Sequence, residues 1–297
     1  MCRTFKTTLW LLLAALTPAF ADENPRDDAK AQSTTAQHAE FKPAANKSDL
    51  AISEFDPQAE EQLFILANQS RHEAGAPPLT RDSGLSQAAR AHAKEMLEEQ
   101  QLSHQFDGEP SLPQRLAIAT QLLLDEAAEN VALDSGPEQS HQHFLHSPPH
   151  RANLLNPVYN VVGLGVARSG NRLYIVQDFG HALPEYSETE LKDRIAESVR
   201  QTRRQVSETE MQRRDLLIAD QVACTMAQAD KMGTADVHKL AERFTVLTYT
   251  SVHPETLPNS AIHAITSRNV HAFSVGACFA RTDNYPLGVY WVVLSLE

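Results

Sequence analysis

The chain has 297 residues, a net charge of −12, and 42% hydrophobic against 22% charged residues. That is enough length for two modest domains with their own cores. An acidic chain of this kind repels phosphate backbones, so nucleic acid is excluded as an expected partner.

The chain opens MCRTFKTTLWLLLAALTPAFADENP. Arg3 and Lys6 precede an apolar run from Leu9 to Leu16, and Ala19-Phe20-Ala21 has the small-x-small pattern of a leader cleavage site. Residues 1–21 therefore read as a signal peptide that directs export to the periplasm or the extracellular space. The apolar run is too short for a transmembrane anchor, and no later stretch is long and apolar enough to supply one. Residues 22–55 are rich in Ala, Lys, Asp, Thr and Gln and poor in large apolar side chains. Such a segment buries too little surface to offset its ordering entropy, and it reads as a flexible tether.

Helical periodicity begins after Asp56. Leu63, Leu66, Ala67 and Ser70 share one face, and Gly75 with Pro77-Pro78 ends the run. A second helix carries Leu85, Ala88, Ala89, His92 and Met96 on one side, with alanines small enough for close packing. The stretch QLSHQFDGEPSLPQRL is irregular to about Pro113, and a further helix is expected over 137–146. Ser147 suits an N-cap and Pro148 the first helical position. This start separates His146 from His150, so the two do not form a metal-binding pair on one helix face. His150, in the first turn beside unsatisfied backbone N–H groups, is expected to be neutral. The set His141, His143 and His146 reads as a solvated helix face. VVGLGVARSGNRLYIVQDFG is a hairpin with its turn at Ser169-Gly170-Asn171.

From Ser187 to about Met232 the pattern is helical, with a charged first half. FTVLTYTSV and FSVGACFARTDNYPLGVYWVVLSL then read as strands, the latter a hairpin turning between Asp283 and Gly288. SQAARAHA (86–93) is echoed by DQVACTMA (220–227), and VGLGVAR (162–168) by VGACFAR (275–281). The echo points to a degenerate, shortened repeat of the first domain; chance similarity of short segments is the alternative. Beyond the leader, only Cys224 and Cys278 remain. An even pair in an exported chain suggests one disulfide, with two buried free thiols as the other option. Under the repeat, Cys224 lies on a helix and Cys278 on a strand packed near it.

His104, Glu129 and His150 are the chemical candidates in the first domain. Two imidazoles and a carboxylate suit a zinc site with an open position, or acid–base work with Glu129 as the catalytic group. Taken singly, each is weak. In combination they carry a resemblance. Asn68 and Arg71 before Gly75, AARAHAKEM, Leu102-Ser103-His104 with Gly108 and Arg115, Ala128-Glu129-Asn130, SPPHRANLLNP, VGLGVA and YIVQDFG together resemble the CAP superfamily: the cysteine-rich secretory, antigen 5 and pathogenesis-related 1 proteins, whose module is also called the SCP domain. The chain looks like the bacterial, cysteine-poor secreted branch, and the resemblance covers about Asp56 to Gly180.

The resemblance implies an α/β fold: a CAP-type α-β-α sandwich over residues 56–183, followed here by a smaller α+β domain over 187–297. It implies a solvent-open cavity lined by His104, Glu129 and His150, in which His104 and His150 hold zinc or another divalent cation. Two departures stand out. The family's Gly-Glu-Asn motif starts with Ala128, which would be strained if that position needs a positive φ. The second acidic residue of animal members falls near Ser147, so no four-residue cluster is expected.

The first functional expectation is a binding module for a divalent ion with a small-molecule, lipid or protein ligand. A metal-dependent hydrolase with Glu129 as base is the second, although the CAP-like region has no HExxH, no G-x-S-x-G and no free catalytic cysteine. An envelope scaffold is the third. The C-terminal echo lacks the His, Glu and His set.

Overall fold

The computed structural model describes residues 55–267 and 269–297. The expected leader over 1–21, and all but the last residue of the expected tether over 22–55, lie outside the described residues.

The N-terminal half runs α1 (Pro57–Glu73), β1 (Thr80–Arg81), α2 (Ser83–Glu99), α3 (Leu112–Ala119), β2 (Leu124–Asp134), α4 (Pro137–His146), α5 (Pro148–Leu155), β3 (Val161–Ser169) and β4 (Arg172–Ala182). Its sheet has the order β1-β3-β4-β2, with β1 parallel to β3 and the other pairs antiparallel. α1, α4 and α5 cover one face through Leu63, Phe144 and Leu154 on Val162, Leu164 and Phe179. α2 covers the other through Ala89, Ala93 and Met96 on Val131, Tyr174 and Val176. This is the expected α-β-α sandwich. Local signals set the boundaries. Asp56 and Asp82 cap α1 and α2 by accepting from Ala59 N and Leu85 N. Pro148 begins α5, and the hairpin turns at Gly170, where φ is +57°.

The C-terminal half runs α6 (Glu188–Arg204), β5 (Gln212–Arg213), α7 (Leu217–Gln228), α8 (Ala235–Ala241), β6 (Thr245–Ser251), α9 (Asn259–Ile265), β7 (Ala272–Ala280) and β8 (Val289–Leu296). Its sheet order is β5-β7-β8-β6, again with the short first strand parallel and the rest antiparallel. The expected continuous helical stretch from 187 to 232 is broken: β5 pairs with β7 between α6 and α7, as β1 pairs with β3 between α1 and α2. Helical periodicity does not register a two-residue strand.

The second half therefore repeats the topology of the first, and the correspondence extends to single atoms. Gly163 and Gly276 let a helix lie directly on the strand: a Cβ on either would overlap backbone, of Leu85 and Ser86 in one case and of Ala219 and Asp220 in the other. One residue further along, Leu164 N donates to Ser86 Oγ at 3.3 Å and Ala277 N to Asp220 Oδ1 at 3.3 Å. Arg71, buried near the end of α1, donates to the carbonyls of Pro77, Leu154, Asn156 and Tyr159. Arg203, near the end of α6, does the same with Ile265 and Ser267. Cys224 of α7 and Cys278 of β7 form a disulfide across 54 residues of chain.

The halves share a boundary. Leu123 of the first is buried in the core of the second. Arg281 donates to Ala117 O at 2.5 Å, Thr120 O at 2.7 Å and Leu122 O at 3.0 Å, holding the end of α3. Asp125 accepts from His181 of its own half at 2.7 Å and pairs with His253 of the other at 3.2 Å.

Candidate functional site

β2 is an edge strand, so helices from both faces of the sheet meet around it. Successive side chains of a strand point to opposite faces, and Glu129 and Asn130 use both. Asn130 turns toward α5, donating to His150 O at 3.1 Å and Gln177 Oε1 at 3.3 Å, and accepting from Asn153 Nδ2 at 3.0 Å. These bonds fix the turn that carries His150. The His150 ring sits edge-on to Phe144, with centroids 5.3 Å apart.

Glu129 turns toward α2 and is buried. Its Oε1 lies 2.9 Å from His104 Nδ1, and its Oε2 accepts from Arg115 Nη2. Arg115 Nη1 in turn reaches His104 O at 3.2 Å and Glu109 Oε1 at 3.1 Å. His92, fully buried on α2, faces Glu109 Oε1 at 2.6 Å and Ser103 O at 2.9 Å through its two ring nitrogens. The loop after α2 is thereby tied down on both sides of His104. The His104 side chain itself remains 61% exposed.

Asp178 of β4 stands directly opposite Glu129 in the register, where side chains of an antiparallel pair share a face. It is completely buried. As a carboxylate it would have no donor among its described neighbours. Burial first, then the negative charge of Glu129, holds its carboxyl well above the usual carboxylate range. Protonated, it has Glu129 as acceptor.

The two expected histidines differ in state. The hydrogen bond to Glu129 raises His104, outweighing partial burial and the opposing charge of Arg115. Burial lowers His150, and the charge of His104 lowers it further. The direction expected for His150 is the one found, and its causes here are partial burial and the charge of His104. A pair pushed apart in this way presents one imidazole that favours its proton and one that does not.

Other expectations are corrected. Ala128 is unstrained: it lies within β2, and Gln100 and Asp230 are the non-glycine residues with positive φ among the described residues. His141 is not on a solvated face. It is buried, with Nε2 at 2.8 Å from Ser70 Oγ, while His143 and His146 are exposed. His92, Glu109 and Asp178 were not singled out by sequence. The available signal was Gln177-Asp178 inside an apolar strand, since a polar pair in such a run must be satisfied internally.

The fit to a divalent ion rests on the donors present. With Nδ1 of His104 committed to Glu129, its Nε2 is left for a ligand, the arrangement by which a carboxylate orients a metal-binding imidazole. Among the described residues, no group of three or more His, Cys, Asp and Glu side chains is assembled to hold a metal. The donor shown to be open is the single imidazole nitrogen Nε2 of His104, which by itself suits an open position and not a closed metal site.

Comparison with known proteins agrees with the motifs. The model of the cysteine-rich secretory protein (CAP) family matches residues 64–179. The chain is similar to YkwD of Bacillus subtilis (31% identity; 38% of this chain and 44% of that one) and to the membrane protein YlbC of the same organism (31%; 44% and 37%). It therefore spans less than half the length of either relative. Among solved structures, an extracellular SCP-domain protein from Bacillus anthracis is 28% identical, covering 42% of this chain and 41% of that one at a TM-score of 0.39. Over residues 64–179, the chain is similar to the cysteine-rich secretory protein, or CAP, family.

Proposed function

We propose that the N-terminal half is a ligand-binding module of an exported protein, with His104 and His150 as the side chains that meet the ligand. The observation that carries this reading is the state of His104: held at Nδ1 by a buried carboxylate, yet exposed and free at Nε2. A divalent cation such as zinc, held by these two imidazoles, would supply a positive anchor for a small molecule, a lipid headgroup or a peptide. Glu129 acts as the orienting group. With its two oxygens engaged by His104 and Arg115, it supports positioning better than the free general base of a metal-dependent hydrolase. Export is supported by the leader pattern and by a disulfide, which persists in oxidising compartments. Among the described residues no helix is long and apolar enough to cross a membrane.

The test is a calorimetric zinc titration of the wild type beside the His104→Ala/His150→Ala double variant and Glu129→Gln. Saturable binding lost in the double variant, and weakened about tenfold or more in Glu129→Gln, is the expected result. Absence of binding in the wild type, or equal binding in all three proteins, rejects the ion site.

A further inference from the structure

The repeat leaves one place where the halves are closed differently. In the first half, the residues that enter α1 seal the end of β3: Phe55 bridges Ala167, Asp56 N donates to Val166 O at 2.9 Å, and Arg168 locks this strap through Asp56 Oδ2 at 2.6 Å. Matching the helix caps Asp56 and Ser187, the equivalent strap is Glu185-Tyr186-Ser187, and the equivalent strand residues are Phe279 and Ala280. Among the described residues the strap makes no bridge there. Ser187 N donates instead to Glu190. Arg281, in the place of Arg168, turns away to the carbonyls at the end of α3. Where Val166 is wholly buried, Phe279 is 42% exposed.

The unsealed end is a cavity of about 400 Å3, within the range of small-ligand sites. Leu123 and Leu191 give apolar walls and the Cys224–Cys278 bridge lies at its edge. Phe279 and Tyr290 pack with ring centroids 5.3 Å apart and present aromatic surface to the space. Glu185 lines it too, and forms no ion pair among the described residues; its charge, after burial, helps raise the Tyr290 phenol. Tyr186, on the same wall, already carries one cation, the Arg194 guanidinium 4.0 Å from its ring centre. Aromatic faces beside an uncompensated carboxylate select positive charge on a hydrocarbon body.

We propose that this cavity binds a small organic cation, a substituted or quaternary ammonium, seated on Phe279 and Tyr290 with its charge toward Glu185. The site is independent of His104 and His150, and its ligand bridges the strap to the hairpin, a junction that the first half closes by hydrogen bonds and an ion pair within its own chain.

The full chain, titrated with phenyltrimethylammonium and with its uncharged isostere tert-butylbenzene, tests this by NMR of the aromatic side chains. The expected result is saturable shifts at Phe279 and Tyr290 with the cation, affinity about fivefold weaker for the isostere, and a similar loss for the cation in Glu185→Gln. Phe279→Ala should remove binding of both. Glu185 is exposed, so its variant keeps the fold, as an unchanged thermal midpoint would verify. Equal affinity for the two probes, indifference to Glu185→Gln, or no saturable shift at these rings overturns the proposal.

Discussion

Cys278 occupies in the second half the place that Gly165 holds in the first. Gly165 lies so close to α2 that a Cβ would overlap the backbone of Ala89 and Arg90. At the matching positions of the repeat, Cys224 replaces Arg90 and a disulfide joins helix to strand. At this position the first half holds its layers by backbone proximity and the second by a covalent link.

This gives paired expectations for stability. Replacing Cys224 and Cys278 by Ala should cost about 2–4 kcal/mol, the scale for closing a loop of this length, measured by denaturant unfolding of the full chain. Gly165→Ala should cost about 1–3 kcal/mol or prevent folding, because backbone cannot yield as a side chain can. Gly75→Ala, at φ +73° with open space around it, should cost only about 1 kcal/mol. Equal losses at the two glycines would show that α2 can move away from the strand.

The histidines should titrate in a fixed order. His104 is raised chiefly by its bond to Glu129. Its contribution to stability is therefore present below the unfolded imidazole value and lost as pH rises through the folded one. His150 is lowered, so its contribution is lost in the opposite sense, as pH falls and the partly buried ring must charge. NMR titration of the ring protons should show His104 titrating above His150. In Glu129→Gln, His104 should move down and the gap narrow. An unchanged His104 in that variant would reject Glu129 as its cause.

Asp178→Asn should be tolerated, and increasingly favoured as pH rises. The Asp178 carboxyl is held above the usual range, so the wild type loses stability as pH rises from the unfolded carboxylate value through the folded one. The amide does not ionise. Thermal midpoints compared at pH 5 and pH 8 should shift in favour of the variant at the higher pH. A variant less stable by the same margin at both values would mean that Asp178 is needed as an anion.

Arg281→Ala should loosen α3 from outside its own half. The guanidinium holds three carbonyls at the end of that helix, and its loss should cost about 2 kcal/mol, the scale of hydrogen bonds to a charged group. Hydrogen exchange should rise in α3 and in the residues leading to β2. Zinc binding should weaken too, since Arg115 of α3 holds Glu129. Faster exchange confined to β7 and β8 would count against this link.

Features written in local chemistry were legible in the sequence. Ser147-Pro148 marks a helix start whatever lies around it, and α5 begins there. The alternation through Val162, Leu164 and Val166 gave the hairpin, and the short echoes gave a repeat whose topology is now visible in both sheets. Features set by partners distant in the chain were not. His141 looked solvated because nothing near it in sequence shows that Ser70, 71 residues earlier, meets it in the interior. Asp178 became a site residue only through its cross-strand neighbour. The second sheet also explains why the echo carries no His-Glu-His chemistry. By its register, Glu129 and Asp178 correspond to Thr248 and Val293, and by the helix echo His92 corresponds to Met226. Met226 and Val293 pack in an apolar cluster, and Thr248 brings no charge, so the ionisable network has no counterpart there.

The division of labour between Glu129 and Asn130 makes the site a stringent reporter of folding. A slip of β2 by one position against β4 would send each side chain to the wrong layer: the amide toward His104 and Arg115, the carboxylate into the helix contacts that hold His150. No partly correct pairing of this edge strand yields half a site. A population of molecules in which His104 meets Glu129 and Asn130 holds the His150 turn is thus a count of those whose edge strand β2 has found its single proper alignment.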